Sequence, residues 1–233
     1  MTARQNLVLV PGLICDAAVW QQQVAHLEDI ATAIVPAVDG QETMADMARS
    51  VLAAAPERFA LAGFSMGGYV ALEVLRQAPE RISRLCLVDT SARQDTPEKR
   101  AWREKVLAMC ARGQYADVIT DMFRILLHPE HQRDPLLGFV RAMTERIGAD
   151  VYARRQRAQM TRSDSRGLLA TTSIPVRVIC GRQDAMSSLV EHNEIAEIAP
   201  RGRISIIEEC GHMAPIEQPH AVSALMRDWL VYE

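Results

Sequence analysis

Much of what this chain can do is bounded by what its sequence has little of. Its 26 Lys and Arg are balanced by 29 Asp and Glu, giving a net charge of -3. No long run of basic residues appears, which argues against nucleic acid or an anionic membrane as the main partner and leaves a small molecule. Cysteine is sparse: Cys15, Cys86, Cys110, Cys180 and Cys210 are odd in number and show no C-x-x-C spacing. Neither a disulfide framework nor a zinc site is indicated, and reduced thiols in a cytoplasm are expected. Long apolar runs are missing as well. The first, Leu7 to Val10, is broken by Pro11-Gly12 and has no charged region before it, so it does not read as a signal peptide. Nothing reaches the roughly 18 apolar residues of a membrane span. Internal repeats and low-complexity segments are absent, and 233 residues suit one domain with a modest insertion.

What is present is an alternation of short apolar runs with amphipathic segments. Leu7–Val10, about Ala33 to Val38, Phe59–Ala62, Leu85–Val88, Val176–Cys180 and Ile204–Ile207 read as six strands. Between them lie helical patterns such as Met44, Met47, Ala48 and Val51, or Val222, Leu225, Met226, Trp229 and Leu230. This order predicts an α/β fold with a mostly parallel six-stranded sheet covered by helices on both faces. The alternation lapses between Ser91 and about Ser173, where helical stripes follow one another without strands. Residues 1–90 and 174–233 therefore form the predicted core, and 91–173 a helical cap over the edge of the sheet where ligands bind.

The stretch Leu61-Ala62-Gly63-Phe64-Ser65-Met66-Gly67-Gly68-Tyr69 passes from strand to helix through one serine flanked by glycines. It has the G-x-S-x-G form of a nucleophile elbow, in which small residues let strand and helix approach while the serine is exposed. A serine hydroxyl is a poor nucleophile at neutral pH and needs a base held by an acid. His212 lies past the sixth strand and Asp184 past the fifth, giving the order Ser65, Asp184, His212 that accompanies this elbow. Asp89, at the end of the fourth strand, is the fallback acid. Backbone N–H groups of Met66 and of Leu13, in the turn after the first strand, are the expected oxyanion donors. Each residue also has an ordinary alternative: a small residue in a turn for Ser65, a loop histidine for His212, a capping residue for Asp184.

With the glycine turn after strand one, Gly-Phe-Ser-Met-Gly-Gly, Gly-Arg-Gln-Asp and Gly-His-Met-Ala-Pro-Ile-Glu-Gln-Pro in this order, nearly the whole chain resembles α/β-hydrolase fold enzymes. It is most similar to small capped esterases, lactonases and enol-lactonases. The resemblance implies a serine hydrolase of a small or medium ester, lactone or thioester that needs no metal or organic cofactor. Carbon–carbon bond hydrolases, elimination enzymes of menaquinone synthesis and hydrolase-fold ligand receptors share this residue set and are alternatives. Three departures stand out. Pro11-Gly12 replaces the usual His-Gly, Asp184 is followed by Ala-Met-Ser-Ser without an early proline, and the chain opens directly at the strand carrying the oxyanion turn.

Other features carry less. His128 and His131 are three residues apart with Pro129 between them, which favours a solvated loop over a metal site. From Arg93 to Arg166 there are fifteen Lys and Arg against ten Asp and Glu, including Arg154, Arg155, Arg157, Arg162 and Arg166. A solvated helix surface accounts for most such charge, and an acidic substrate is the alternative. Met109, Met122, Met143 and Met160 read as core that overlaps a pocket wall.

Overall fold

In a computed structural model describing residues 4–133 and 135–233, six strands form one sheet in the order β2-β1-β3-β4-β5-β6. The strands are β1 (Gln5–Val10), β2 (Ala31–Ile34), β3 (Phe59–Phe64), β4 (Ile82–Val88), β5 (Val176–Gly181) and β6 (Gly202–Ile207). All five neighbouring pairs are parallel. Every residue of β3 and β5 is buried, as expected of strands covered on both faces. The second strand lies earlier than its apolar run suggests: Pro36 offers no N–H for a ladder, and pairing with β1 stops at Ile34.

Helices α1 (Gln21–Leu27), α2 (Met44–Ala54) and α3 (Met66–Gln77) separate the first strands. Thr43 caps α2 by accepting from the Asp46 N–H at 3.0 Å, and its predicted face of Met44, Met47, Ala48 and Val51 is buried. Between β4 and β5 come α4 (Pro97–Ala111), α5 (Tyr115–Leu126), α6 (Leu136–Gln159) and α7 (Arg166–Thr171). Helix α6 is kinked at Gly148, whose φ of 69° breaks the helical geometry and divides it into two helical pieces. Along α4 burial does not follow hydrophobicity: Trp102 is 40% exposed, whereas its neighbour Arg103 is buried. Helices α8 (Leu189–Ile198), α9 (Ala214–Glu217) and α10 (Pro219–Tyr232) complete the core. Ser188 and Glu191 form a reciprocal capping box that starts α8 directly after the Asp184 loop. Among the described residues, no helix is long and apolar enough to cross a membrane.

Parallel strands put the turns after β1, β3, β4, β5 and β6 at one edge of the sheet. These are the turns that carry Leu13, Ser65, Asp89, Asp184 and His212.

Candidate active site

Ser65 occupies the single position between β3 and α3, at φ 53° and ψ -116°. A non-glycine residue is strained in that left-handed region, so the surroundings must hold it there. The Ser65 N–H donates to the Val88 carbonyl at 2.9 Å, and its own carbonyl accepts from Thr90 Oγ1 at 2.8 Å and the Gly68 N–H at 2.9 Å. The flanking glycines follow from closeness. A Cβ on Gly63 would overlap the Gly67 carbonyl, and one on Gly67 would overlap the Val10 carbonyl.

His212 reaches Ser65 from the loop after β6. Its Nε2 lies 2.9 Å from Ser65 Oγ, and its Nδ1 lies 2.9 Å from Asp184 Oδ2. The other Asp184 oxygen accepts from the backbone N–H groups of Met186 at 2.7 Å and Ser187 at 3.0 Å. Burial opposes ionisation of Asp184, but His212 and these two amides outweigh it and hold the carboxyl below its ordinary range. An ionised Asp184 can only accept, so Nδ1 carries the imidazole proton and Nε2 is left to accept from the serine hydroxyl. The two loops also brace one another. Gln183 N–H donates to the Cys210 carbonyl at 2.9 Å, and Cys210 N–H to Gln183 Oε1 at 3.1 Å.

Asp89, the fallback acid, is also at φ 45° and fully buried. Its oxygens accept from the Gly181 N–H at 2.9 Å and the Ala214 N–H at 3.1 Å, tying β5 to the His212 loop. Burial, reinforced by the Asp184 charge, pushes its carboxyl well above the usual range despite those amides. The structure brings Asp184, and not Asp89, to the imidazole.

Leu13 shares a cavity of about 210 Å³ with Ser65 and His212. Neither its N–H nor that of Met66 donates to an acceptor among the described residues, so both are free for a ligand oxygen. The carbonyls of the same turn are engaged by one of the basic residues expected on a solvated helix surface, which is instead buried. Arg155, from α6, donates through Nη1 to Gly12 O at 3.1 Å, Leu13 O at 2.7 Å and Cys15 O at 2.9 Å. Its Nε donates to Val38 O at 3.4 Å and its Nη2 to Asp39 Oδ1 at 2.6 Å. No local pattern announces a contact across more than 140 residues of sequence. Cys15 also borders the cavity, but burial raises its thiol to about 12 and removes it as a competing nucleophile.

An overlooked residue is Glu217, in the Pro-Ile-Glu-Gln-Pro stretch. Its buried carboxylate accepts from the N–H groups of Gly211 at 3.2 Å, Met213 at 2.9 Å and His128 at 2.7 Å. His131 Nδ1 lies 2.9 Å from the same carboxylate, so the His128–His131 loop is fastened rather than simply solvated. The His212 N–H completes the attachment by donating to Leu126 O at 2.8 Å. Ligand atoms of Asp89, Asp184 and His192 lie within 4.8 Å of one another, but the two carboxylates are engaged by backbone amides and His212.

The sequence matches the alpha/beta hydrolase family over residues 7–225. A pimeloyl-[acyl-carrier protein] methyl ester esterase of Vibrio campbellii is 26% identical, covering 94% of this chain and 92% of that protein. An esterase of Thermogutta terrifontis, solved with malate bound, superposes with a TM-score of 0.89 at 28% identity over 97% of this chain and 89% of its own. The enol-lactonase of Burkholderia xenovorans gives a TM-score of 0.87 at 20% identity, over 98% and 92%, a likeness of fold alone.

Proposed function

Since the chain belongs to the alpha/beta hydrolase family, we propose that it is a cytoplasmic carboxylic ester hydrolase working through an acyl-enzyme on Ser65. The observation that supports this most is the run of hydrogen bonds from Ser65 Oγ through both nitrogens of His212 to Asp184, opening on a cavity. Ser65 attacks the carbonyl carbon as His212 Nε2 takes its proton, and the tetrahedral oxygen is held by the N–H groups of Leu13 and Met66. Imidazolium then protonates the leaving alcohol. Water, deprotonated by the same nitrogen, releases the acid and restores Ser65. Asp184 keeps the ring in the tautomer this needs and balances its transient charge. Residues 91–173 act as a cap whose α4, α5 and α6 wall the cavity, and the free thiols fit a reducing compartment.

The relatives of Vibrio campbellii and Aromatoleum aromaticum are named as esterases of a pimeloyl-[acyl-carrier protein] methyl ester. For this chain the supported substrate is coarser: an ester whose acyl part fits a largely apolar pocket bordered by Leu13, Phe64, Met122 and Met213. The test is labelling with a serine-directed phosphonate, peptide mass spectrometry, and turnover of 4-nitrophenyl esters by wild type and Ser65→Ala. Label on Ser65 and a loss of at least about 10³-fold in the variant are expected. An unlabelled Ser65, or turnover that survives its removal, overturns the reading.

A further inference from the structure

The cavity beside Ser65 is not evenly lined. Three basic residues border it, Lys99, Arg103 and Arg162, and no Asp or Glu does among the described residues. Lys99 is half-exposed and has Glu191 at 3.3 Å. The two arginines are buried, and they share one buried carboxylate: Asp95 lies 2.7 Å from Arg103 Nε and 2.7 Å from Arg162 Nη2. Two guanidiniums against one carboxylate leave a positive charge over in a desolvated place. Such a charge is costly unless something negative balances it.

The remaining donors locate where a balancing group is wanted. Arg103 Nη1 is taken by Gln156 Oε1 at 2.7 Å, and Arg162 Nε by the Arg93 carbonyl at 2.9 Å. Arg162 Nη1 and the amide nitrogen of Gln159 are both buried and have no acceptor among the described residues. Both residues are more than nine-tenths buried, and both border the cavity. Buried donors without partners are rare, and two at one cavity wall mark a place for an acceptor-rich ligand. The Arg162 guanidinium lies 4.1 Å from the centre of the Tyr69 ring. Tyr69 is one turn along α3 from Ser65, a rise of about 6 Å, so the surplus charge sits a short acyl chain away from the nucleophile.

We propose that Arg162, Gln159 and Arg103 form a subsite for a carboxylate carried on the acyl portion of the ester, which makes half-esters of short dicarboxylic acids the preferred substrates. The subsite rests on the reading of Ser65 as nucleophile. The carboxylate accepts from Arg162 Nη1 and Gln159 Nε2 and neutralises the charge that Asp95 leaves uncompensated. Charge-assisted bonds of this kind also fix the chain in one register, so the ester carbonyl meets Ser65 rather than sliding past it.

The experiment compares mono(4-nitrophenyl) glutarate with the neutral 4-nitrophenyl pentanoate, and uses free glutarate as a competitor. Wild type is expected to favour the anionic ester in kcat/KM by about tenfold or more, and glutarate is expected to inhibit competitively. In Arg162→Met and Gln159→Leu the ratio of the two kcat/KM values should fall toward one, chiefly through KM for the anionic ester. A wild-type ratio at or below one, with no inhibition by glutarate, overturns the subsite. So does an unchanged ratio in both variants. Absence of turnover with either ester, together with an unlabelled Ser65, instead removes the hydrolase reading itself.

Discussion

Arg155 and Arg162 stand seven residues apart in one basic stretch, are both buried, and do different work. Every nitrogen of the Arg155 guanidinium has an acceptor, four backbone carbonyls and Asp39, so the group is wholly engaged by the fold. Arg162 shares its carboxylate with Arg103 and keeps one nitrogen without a partner at the cavity wall. The two acids repeat the contrast. Asp89 has one backbone amide on each oxygen, whereas Asp184 gives both its amides one oxygen and leaves the other to His212. The difference teaches that a buried polar group is read by where its hydrogen bonds go. One whose partners all belong to the backbone frame holds the structure, and one that turns an oxygen or N–H toward His212 or the cavity is available to chemistry.

The most severe way to break this contrast is to remove each acid's charge in turn. Asp184→Asn removes the group that fixes the His212 tautomer, and kcat on a 4-nitrophenyl ester should fall by about 10³–10⁴. Asp89→Asn presents an amide N–H to a backbone N–H, so its expected cost is stability, about 1–3 kcal/mol, with kcat within about tenfold of wild type. Urea unfolding and steady-state kinetics on both variants decide the matter, and a collapse of kcat in Asp89→Asn alone would reassign the acid. Next in size is Arg155→Met. Freed from its clamp, the Gly12–Cys15 turn no longer holds the Leu13 N–H in place, and a loss of about 10²-fold in kcat with little change in KM is expected. Arg155→Lys should recover only part of it, since an ammonium cannot span the same spread of acceptors. If kcat in Arg155→Met matched wild type while stability dropped, Arg155 would be structural support alone.

Most of the fold and the centre of the candidate site were legible in the sequence for local reasons. The elbow is written in consecutive residues, because Gly63, Ser65 and Gly67 must sit at that spacing for β3 and α3 to approach. Asp184 and His212 follow strand ends, and parallel topology gathers strand ends at one edge. The residues that were not legible act across the chain. Arg155 reads like Arg154 and Arg157 in sequence, although those two meet Asp39 O and Glu42 at the surface. Pro11-Gly12 reads as a rigid turn in place of the usual His-Gly, but the turn's carbonyls are held by an arginine from α6. Glu217 was visible only as part of a motif, and its bonds to His128 and His131 arise from a loop that periodicity cannot place. Trp102 is a large apolar residue of α4 yet borders the cavity and is 40% exposed, because hydrophobicity does not distinguish core from pocket wall.

A buried group with all of its capacity unused gives the mildest and sharpest form of the contrast. His192 is completely buried, neither ring nitrogen has a hydrogen-bond partner among the described residues, and Asp184 Oδ2 is 3.9 Å away. Burial lowers its pKa to about 4, against the pull of the Asp184 charge and with help from His212. The unfolded chain, where a histidine titrates near 6.5, therefore binds the proton more readily than the folded one. Stability from this residue is intact above about pH 6.5 and declines as pH falls toward 4, by about 3 kcal/mol over the whole window. His192→Gln cannot take up that proton, so its urea midpoint should fall less than that of wild type between pH 7 and pH 4.5, while kcat at pH 8 stays close to normal. Parallel loss of stability in the two proteins would mean that His192 finds a partner in solution and takes no part in the acid sensitivity of the fold.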